Sequence, residues 1–267
     1  MTAPLARLAA LLGAPIASVT PLAGGDLSTV LRIHIEHGDT LIAKLGPQVA
    51  VEATMLGAIA ATGAPAPCVV AVADDMLVMT ECESDGHLAG AWSALADALA
   101  RLHAPCAQNY GWDVDYAFGP VAIVNARRGD WPGFWADHRL RCHLPHLPRA
   151  LGRRVESLAD SIGTLLPARP PPALLHGDLW SGNILAAGGA ITGLIDPACV
   201  IGDREADIAM LTLFDSPPSR FFDSLMLEPG WRARLAIYRL WPLLVHLRLF
   251  GSSYTARVTA TLDEIGF

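Results

Sequence analysis

Lysine is nearly absent from this chain: Lys44 is the only lysine among its 19 basic residues. Arginine therefore supplies every other permanent positive charge on the side chains. Because a guanidinium is broad and planar whereas an ammonium is compact, a single retained lysine indicates a position where the compact ammonium is required. Lys44 is accordingly the first candidate functional residue.

Charge of either sign is also scarce, since only 17% of the residues are charged and 52% are hydrophobic. Such a composition excludes a disordered chain and predicts a globular protein with a sizeable core. The formal net charge is −7. An acidic chain is a poor partner for nucleic acid, so we expect a small neutral or cationic substrate instead.

The sequence has no C-x-x-C pair, and its five cysteines are scattered along the chain. Their odd number and spacing are typical of reduced cysteines in a cytoplasmic protein and exclude a disulfide framework. No segment reaches the roughly 18 uninterrupted apolar residues that a membrane span needs. We therefore expect a cytoplasmic protein with no membrane partner.

Two common nucleotide-binding motifs are missing, namely G-x-x-x-x-G-K-[ST] and G-x-G-x-x-G, and the first absence argues against a P-loop enzyme. A turn with fewer glycines is present, containing Gly24, Gly25 and Ser28. It precedes segment 30–36, whose alternating apolar residues predict a strand, and the predicted return strand 40–45, which carries Lys44. This arrangement predicts a turn whose backbone covers nucleotide phosphates and a lysine that points at the α- and β-phosphates.

A predicted helix over 49–61 contains a single acid, Glu52, eight positions after Lys44. An acid on the helix that follows the lysine strand is the expected ion-pair partner of that lysine. The alternative is an ordinary solvated helix acid. A further hairpin is predicted to end at the polar segment 80–86. In a kinase the backbone at Thr80, Glu81 and Cys82 would bind the adenine.

The most informative stretch runs from His176 to Leu185, where polar residues and glycines interrupt two apolar segments. Asp178 is followed five positions later by Asn183, and Asp196 ends the next apolar segment. This order is that of a kinase catalytic loop and its metal-binding carboxylate. A carboxylate can orient a hydroxyl and accept its proton, and hard oxygen ligands suit Mg²⁺. The alternative is a turn in which these groups only form hydrogen bonds.

Two further residues are candidates for less direct roles. Asp207 lies in the first turn of a helix predicted to begin near Asp203, and we expect it to anchor the catalytic loop by accepting hydrogen bonds from backbone amides. Trp131 lies in an aromatic-rich helical stretch over 131–144. It is either a core residue or a stacking surface for a sugar, and both interpretations remain open from the sequence.

These segments together predict an α+β, bilobal protein-kinase-like fold. The predicted N-terminal lobe, 1–80, is a small antiparallel β-sheet with one helix and binds the nucleotide. Residues 81–86 form the predicted hinge. The larger and mainly helical lobe, 87–267, carries the catalytic loop and the substrate site.

The chain resembles the fructosamine kinase (ketosamine 3-kinase) family, which shares its fold with aminoglycoside and choline phosphotransferases. The resemblance is carried by His-Gly-Asp-Leu-Trp-Ser-Gly-Asn over 176–183, Asp-Pro-Ala over 196–198, and Gly-x-Arg-Glu-Ala-Asp-Ile-Ala-Met over 202–210. Trp180 and the Asp-Pro-Ala segment are the features that distinguish this family from the aminoglycoside kinases. One departure is the turn at 24–28, which has fewer glycines than is usual and contains Leu27.

The resemblance implies ATP and Mg²⁺ as cofactors and a role for each matching residue. Asp178 would be the catalytic base, and Asn183 and Asp196 would be the Mg²⁺ ligands. Lys44 would contact phosphate with Glu52 as its partner, and Trp180 would line the sugar site. His176 and Asp207 would support the loop.

The resulting hypothesis is ATP-dependent phosphorylation of a sugar hydroxyl on a ketosamine, such as a fructosamine or ribulosamine on a free or protein-bound amine. A second hypothesis keeps the chemistry but replaces the acceptor with an aminoglycoside or another small alcohol. A third, of another class, is a nucleotide-binding pseudokinase. The presence of Lys44 and of all three catalytic-loop residues argues against the third, because loss of one of them is the usual sign of a pseudokinase.

Overall fold

The computed structural model describes residues 3–22 and 28–267. Its first part is a five-stranded antiparallel sheet with strand order β1-β2-β3-β5-β4. The strands are β1 (Ile16–Pro21), β2 (Thr29–Ile35), β3 (Thr40–Leu45), β4 (Val69–Ala73) and β5 (Met76–Thr80). Helix α1 (Ala3–Leu12) precedes the sheet, and helix α2 (Val49–Ala61) connects β3 to β4.

The two faces of this sheet are covered by different helices. Leu8 of α1 is buried among residues of one face, including Ile33 and Val78. Leu56 of α2 packs on the other face, among residues that include Leu77. Because alternate residues of a strand point to opposite faces, β3 directs Lys44 to the side of α2.

The rest of the chain is mainly helical. Its principal helices are α3 (Trp92–Leu102), α4 (Trp131–Trp135), α5 (Arg149–Leu165), α6 (Glu205–Phe214), α7 (Ser219–Leu225), α8 (Trp231–Phe250) and α9 (Thr255–Ile265). Three short hairpins or strand pairs lie between them: β6 (Tyr116–Phe118) with β7 (Val121–Ile123), β8 (Ala173–Leu175) with β11 (Val200–Gly202), and β9 (Ile184–Ala187) with β10 (Ala190–Leu194).

The β8–β11 and β9–β10 pairs position the predicted catalytic loop, 176–183. The loop begins after β8 and ends where β9 begins, and β10 stops two residues before Asp196. Segments 176–183 and 195–198 therefore meet at the junction between the sheet and the helices. This α+β architecture agrees with the predicted fold class.

The stretch 131–144 is less regular than the single helix that its periodicity predicts. Helix α4 stops at Trp135, a π-helical turn covers Ala136–Leu140, and a 3₁₀ helix covers Arg141–His146. Pro145 lies inside the 3₁₀ segment and has no backbone N–H to continue an α-helix. The buried guanidinium of Arg139, within the π-helical turn, donates to the carbonyls of Val124 and His138 at 2.8 and 3.0 Å.

Candidate active site

A cleft of about 990 Å³ lies between the sheet and the helical part. Lys44 and Glu52 face it from the sheet side. Asp178, Asn183 and Asp196 face it from the loops opposite. The cleft therefore brings together the five residues that the sequence suggested for phosphate binding, metal binding and catalysis.

Lys44 lies between two carboxylates. Its Nζ is 2.7 Å from Glu52 Oε2 and 2.7 Å from Asp196 Oδ1, although Asp196 is 152 residues away in sequence. Burial lowers the pKa of Lys44, but the attraction of the two carboxylates outweighs burial and raises that pKa overall. The amine is therefore protonated and holds the sheet side and the loop side of the cleft together.

Glu52 is only 2% exposed and lies in the first turn of α2. Burial raises its pKa to about 7, against the opposing attraction of Lys44. A carboxylate in the first turn is also favoured by the positive end of the helix dipole. Glu52 is thus a buried partner of Lys44 and not a solvated helix acid.

The start of the catalytic loop is held by Asp207. Its carboxylate accepts hydrogen bonds from the backbone N–H of His176 at 2.7 Å and of Gly177 at 2.9 Å. The ring of His103 contacts the same carboxylate at 2.9 Å. Burial alone would raise the pKa of Asp207, but these hydrogen bonds and the attraction of His103 hold it below its usual range. Helix α6 therefore fixes the loop through charge-assisted hydrogen bonds.

Gly177 allows the loop to lie directly against the Asp-Pro-Ala segment. Its φ of +81° is in the left-handed region, and a Cβ at this position would lie 2.0 Å from the carbonyl oxygen of Ala198. The backbone N–H of Ala198 in turn donates to the His176 carbonyl at 2.8 Å. Only glycine combines this conformation with so close a backbone approach.

Asp178 and Asn183 are joined directly. Asn183 Nδ2 donates to Asp178 Oδ2 and to the Asp178 carbonyl, both at 2.9 Å. Burial raises the pKa of Asp178 to about 7, although the hydrogen bond from Asn183 opposes the shift. A carboxylate whose pKa lies near neutral is well matched to general base catalysis.

The residues present fit a magnesium ion. The amide nitrogen of Asn183 donates to Asp178. The Oδ1 atom of Asn183 accepts no hydrogen bond from the described part of the chain, which leaves this oxygen available to a metal ion. Asp196 has a φ of 53°, unusual for a residue other than glycine, and only its Oδ1 is engaged by Lys44. The backbone N–H of Ile195 donates to the Asn183 carbonyl at 3.0 Å and brings the two side chains to the same place. Carboxylate and amide oxygens are the donors that Mg²⁺ prefers.

The predicted adenine segment also borders the cleft. Thr80, Glu81 and Cys82 line it where β5 ends, next to apolar residues such as Met79 and Leu185. Ser28 lines the cleft on the same side. Gly24 and Gly25, the other residues predicted to contact phosphate, lie outside the described residues.

The two candidate tryptophans have different positions. Trp180 lines the cleft and is 36% exposed. Trp131 is fully buried, and its Nε1 donates to the Tyr238 hydroxyl at 2.8 Å while its ring stacks on Phe134. The expectation that Trp131 stacks on a sugar is therefore corrected, because its apolar neighbours enclose it in the core.

Several residues of the cleft were missed by sequence reasoning. The sequence predicts no strand in segment 110–120, but this segment contains β6, which places Tyr116 and Phe118 in the cleft. Phe214 at the end of α6 and a row of residues on α8 form the remaining wall. The aromatic content of 110–120 was the one available signal, and it does not specify which rings face the core.

Comparisons with known proteins agree with this geometry. A family model described as fructosamine kinase matches residues 5–266. A "Probable ketoamine kinase" of Lactiplantibacillus plantarum is 32% identical over 275 residues, covering 93% of this chain and 94% of that protein. The "Protein-ribulosamine 3-kinase, chloroplastic" of Oryza sativa subsp. japonica is 32% identical over 186 residues, covering 66% of this chain and 54% of its own length.

Solved structures give the same result. A crystal structure assigned to a fructosamine-3-kinase of Thermobifida fusca superposes with a TM-score of 0.91 at 31% identity, covering 99% of both chains. The aminoglycoside phosphotransferase APH(4)-Ia, in a ternary complex with AMP-PNP and hygromycin B, superposes with a TM-score of 0.73 at 16% identity, covering 99% of both chains. The second similarity shows the shared fold alone.

Proposed function

This chain belongs to the fructosamine kinase family, and we propose that it transfers the γ-phosphoryl group of ATP to a sugar hydroxyl of a ketosamine. The names of its relatives, ketoamine kinase and ribulosamine 3-kinase, support this acceptor class. We further propose that the nucleotide lies between residues 1–80 and 87–267, with 81–86 as the hinge.

The observation that carries the proposal is the ion pair between Lys44 and Asp196 at 2.7 Å. It joins the strand that would contact phosphate to the carboxylate that would hold metal. Asp178 is held near this ion pair by the hydrogen bond that Asn183 donates to its carboxylate. Phosphoryl transfer depends mainly on positioning and electrostatics, and this arrangement supplies both.

The proposed reaction assigns one step to each residue. Asp178 orients the sugar hydroxyl and accepts its proton as the oxygen bonds to the γ-phosphorus. The bond between that phosphorus and the bridging oxygen breaks, and ADP leaves. Lys44 holds the α- and β-phosphates, and Glu52 keeps the Lys44 ammonium in place.

Asn183 and Asp196 would hold Mg²⁺, which when bound neutralises charge on the phosphates. The backbone of Thr80, Glu81 and Cys82 would hold the adenine, and Trp180 would line the sugar site. We propose Ser28, with Gly24 and Gly25, as contacts for the phosphates. His176 and Asp207 support the loop from behind.

A panel of acceptors tests the acceptor class. The protein is incubated with Mg-ATP and fructosamines, ribulosamines, glycated protein or aminoglycosides, and ADP release is coupled to detection of a phosphate adduct by mass spectrometry. We expect adducts on ketosamines. Adducts on aminoglycosides alone would refute the ketosamine assignment. If none of the acceptors in the panel leads to ADP release, the result would favour a nucleotide-binding pseudokinase. Glycated protein is included because the rice relative is named a protein-ribulosamine kinase.

A further inference from the structure

Four side chains that line the cleft form a continuous aromatic surface, which we call the aromatic wall: Trp180, Phe214, His246 and Phe250. The ring centroids are 5.9 Å apart for Trp180 and Phe214, 5.4 Å for Phe214 and His246, and 5.5 Å for His246 and Phe250. All four line the cleft. Three of them are exposed to solvent, at 36%, 38% and 51% for Trp180, Phe214 and Phe250.

The wall adjoins the acceptor end of the cleft and not the adenine end. Trp180 follows Asp178 by two positions, whereas Thr80 and Cys82 lie on the sheet side. Gly182 leaves room for the Trp180 indole, because a Cβ at Gly182 would lie 2.3 Å from the Cη2 atom of the indole. The indole therefore lies back over the catalytic loop and continues the surface that begins at Asp178.

The wall carries no carboxylate. Among the described residues that line the cleft, the acids are Glu52, Glu81, Asp178 and Asp196, and none lies on α6 or α8. The Nδ1–H group of His246 donates a hydrogen bond to the Pro242 carbonyl at 2.6 Å. Burial lowers the pKa of the His246 ring, and this favours the neutral imidazole. The surface is thus apolar and aromatic without a fixed charge of its own.

A ketosamine joins its sugar to a secondary amine that is protonated near neutral pH, and the amine carries a further substituent. Aromatic faces attract such a cation and cover apolar groups attached to it. Phe214 within the wall already contacts a cation, because the Arg257 guanidinium lies 5.7 Å from its ring centroid, although Arg257 does not line the cleft. The Arg257 guanidinium donates to the Leu213 carbonyl at 3.3 Å, and no lysine or arginine of α6 or α8 lines the cleft, so a substituent that ends in a carboxylate finds no cationic partner there.

We propose that the aromatic wall binds the amine-borne substituent of the ketosamine and selects alkyl or aralkyl substituents over those that carry a carboxylate. This inference rests on the proposed function, and it adds the part of the substrate beyond the sugar. The sugar hydroxyl lies at Asp178, and the substituent extends from Trp180 along Phe214 toward Phe250.

The test uses three ketosamines with the same sugar, made from benzylamine, n-butylamine and β-alanine. The last two have chains of similar length and differ in the terminal carboxylate. We expect kcat/KM to be about fivefold or more higher for the benzyl and butyl substrates than for the β-alanine substrate, with the difference mainly in KM. We call the kcat/KM of the benzyl or butyl substrate divided by that of the β-alanine substrate the selectivity ratio. The Phe250→Ala variant should reduce both selectivity ratios about threefold or more. Phe250→Leu should reduce mainly the ratio for the benzyl substrate.

The matched control is Met226→Ala, since Met226 is an exposed apolar residue that does not line the cleft. It should leave both selectivity ratios unchanged. The proposed role of the wall is refuted if all three ketosamines are phosphorylated with equal kcat/KM. It is also refuted if Phe250→Ala does not change the kcat/KM ratios between the substrates. Neither result would contradict the kinase activity. A preference for the β-alanine substrate would also overturn the proposed role of the wall and would point to Arg257 as a carboxylate partner. Absence of turnover with every ketosamine would remove the proposed function itself.

Discussion

The two sides of the cleft are built on different principles. The sheet side presents a buried charge, Lys44, whose position follows from one strand and one helix that are adjacent in sequence. The helical side presents mainly aromatic and apolar surface from α6, α8 and the β6–β7 hairpin, which are far apart in sequence. Carboxylate and amide groups concentrate where the two sides meet, at Asp178, Asn183 and Asp196. The comparison teaches that, under the proposed function, reaction chemistry and acceptor recognition belong to separate parts of this cleft.

The largest expected effect comes from the helical side. Asp178→Asn should lower kcat by about 10²-fold or more, because the amide cannot accept the hydroxyl proton. Nucleotide affinity should remain close to the original value, since Lys44 keeps both its carboxylates. Steady-state ADP release and nucleotide titration measure the two quantities. Asp97→Asn on the exposed side of α3 is the control, and near-normal turnover of Asp178→Asn would contradict its role as the base.

A smaller effect is expected on the sheet side from Lys44→Arg, which keeps the charge but replaces the compact ammonium. The broad guanidinium does not fit between carboxylates that are each 2.7 Å from Nζ, so kcat/KM for ATP should fall by about 10- to 100-fold. Kinetics at varied ATP concentration measure the change. Arg7→Lys, at the exposed ion pair with Asp75, should have no effect. A Lys44→Arg variant that affected only the acceptor KM would break the distinction between the two sides.

The contribution of Asp207 to the helical side should be measurable as a change in the free energy of unfolding. Asp207→Asn weakens hydrogen bonds from His176 and Gly177 and the contact with His103, and we expect unfolding free energy to fall by roughly 2–4 kcal/mol. Urea unfolding monitored by tryptophan fluorescence tests this value. Asp160→Asn removes an exposed partner of Arg141 and should cost less than about 1 kcal/mol. Equal losses in the two variants would show that the loop does not depend on Asp207.

The last expected effect concerns His143, which does not line the cleft, and it is a change in how the free energy of unfolding depends on pH. Both ring nitrogens lack a hydrogen-bond partner among the described residues, and burial, with help from Arg248 and Arg139, lowers its pKa to about 3. The unfolded chain takes up a proton below about pH 6.5 and the folded protein does not, so this group lowers stability as pH falls from about 6.5 toward 3.

The slope from this one histidine is about 1.4 kcal/mol per pH unit well below pH 6.5. Unfolding free energies of the original chain and of His143→Phe, compared between pH 7.5 and 5, should show the smaller acid loss in the variant. His37→Gln, at a position that is 93% exposed, is the control. An equal acid loss in the original chain and His143→Phe would contradict the prediction.

Sequence reasoning was accurate where the pattern is local. The predicted strand 40–45 and helix 49–61 have the same bounds in the structure, because a hairpin return after an alternating strand and a long apolar run are each visible within a few residues. The pair of strands at 116–123 was missed, since three-residue strands carry too little periodicity. Trp131 was left open between core and sugar site because its ring chemistry suits both environments.

The amino-acid sequence by itself determined the composition of the reactive set: one lysine, its acid on the next helix, and an Asp, an Asn and a second Asp at kinase spacing. Those features can be recognised in the sequence because each depends on residue type and on a short distance along the chain. The aromatic wall and the enclosure of Trp131 came from tertiary packing. Residues such as Trp180, Phe214 and Phe250 become neighbours only when α6 and α8 pack beside the loop, and no local pattern encodes which apolar rings a distant helix will cover.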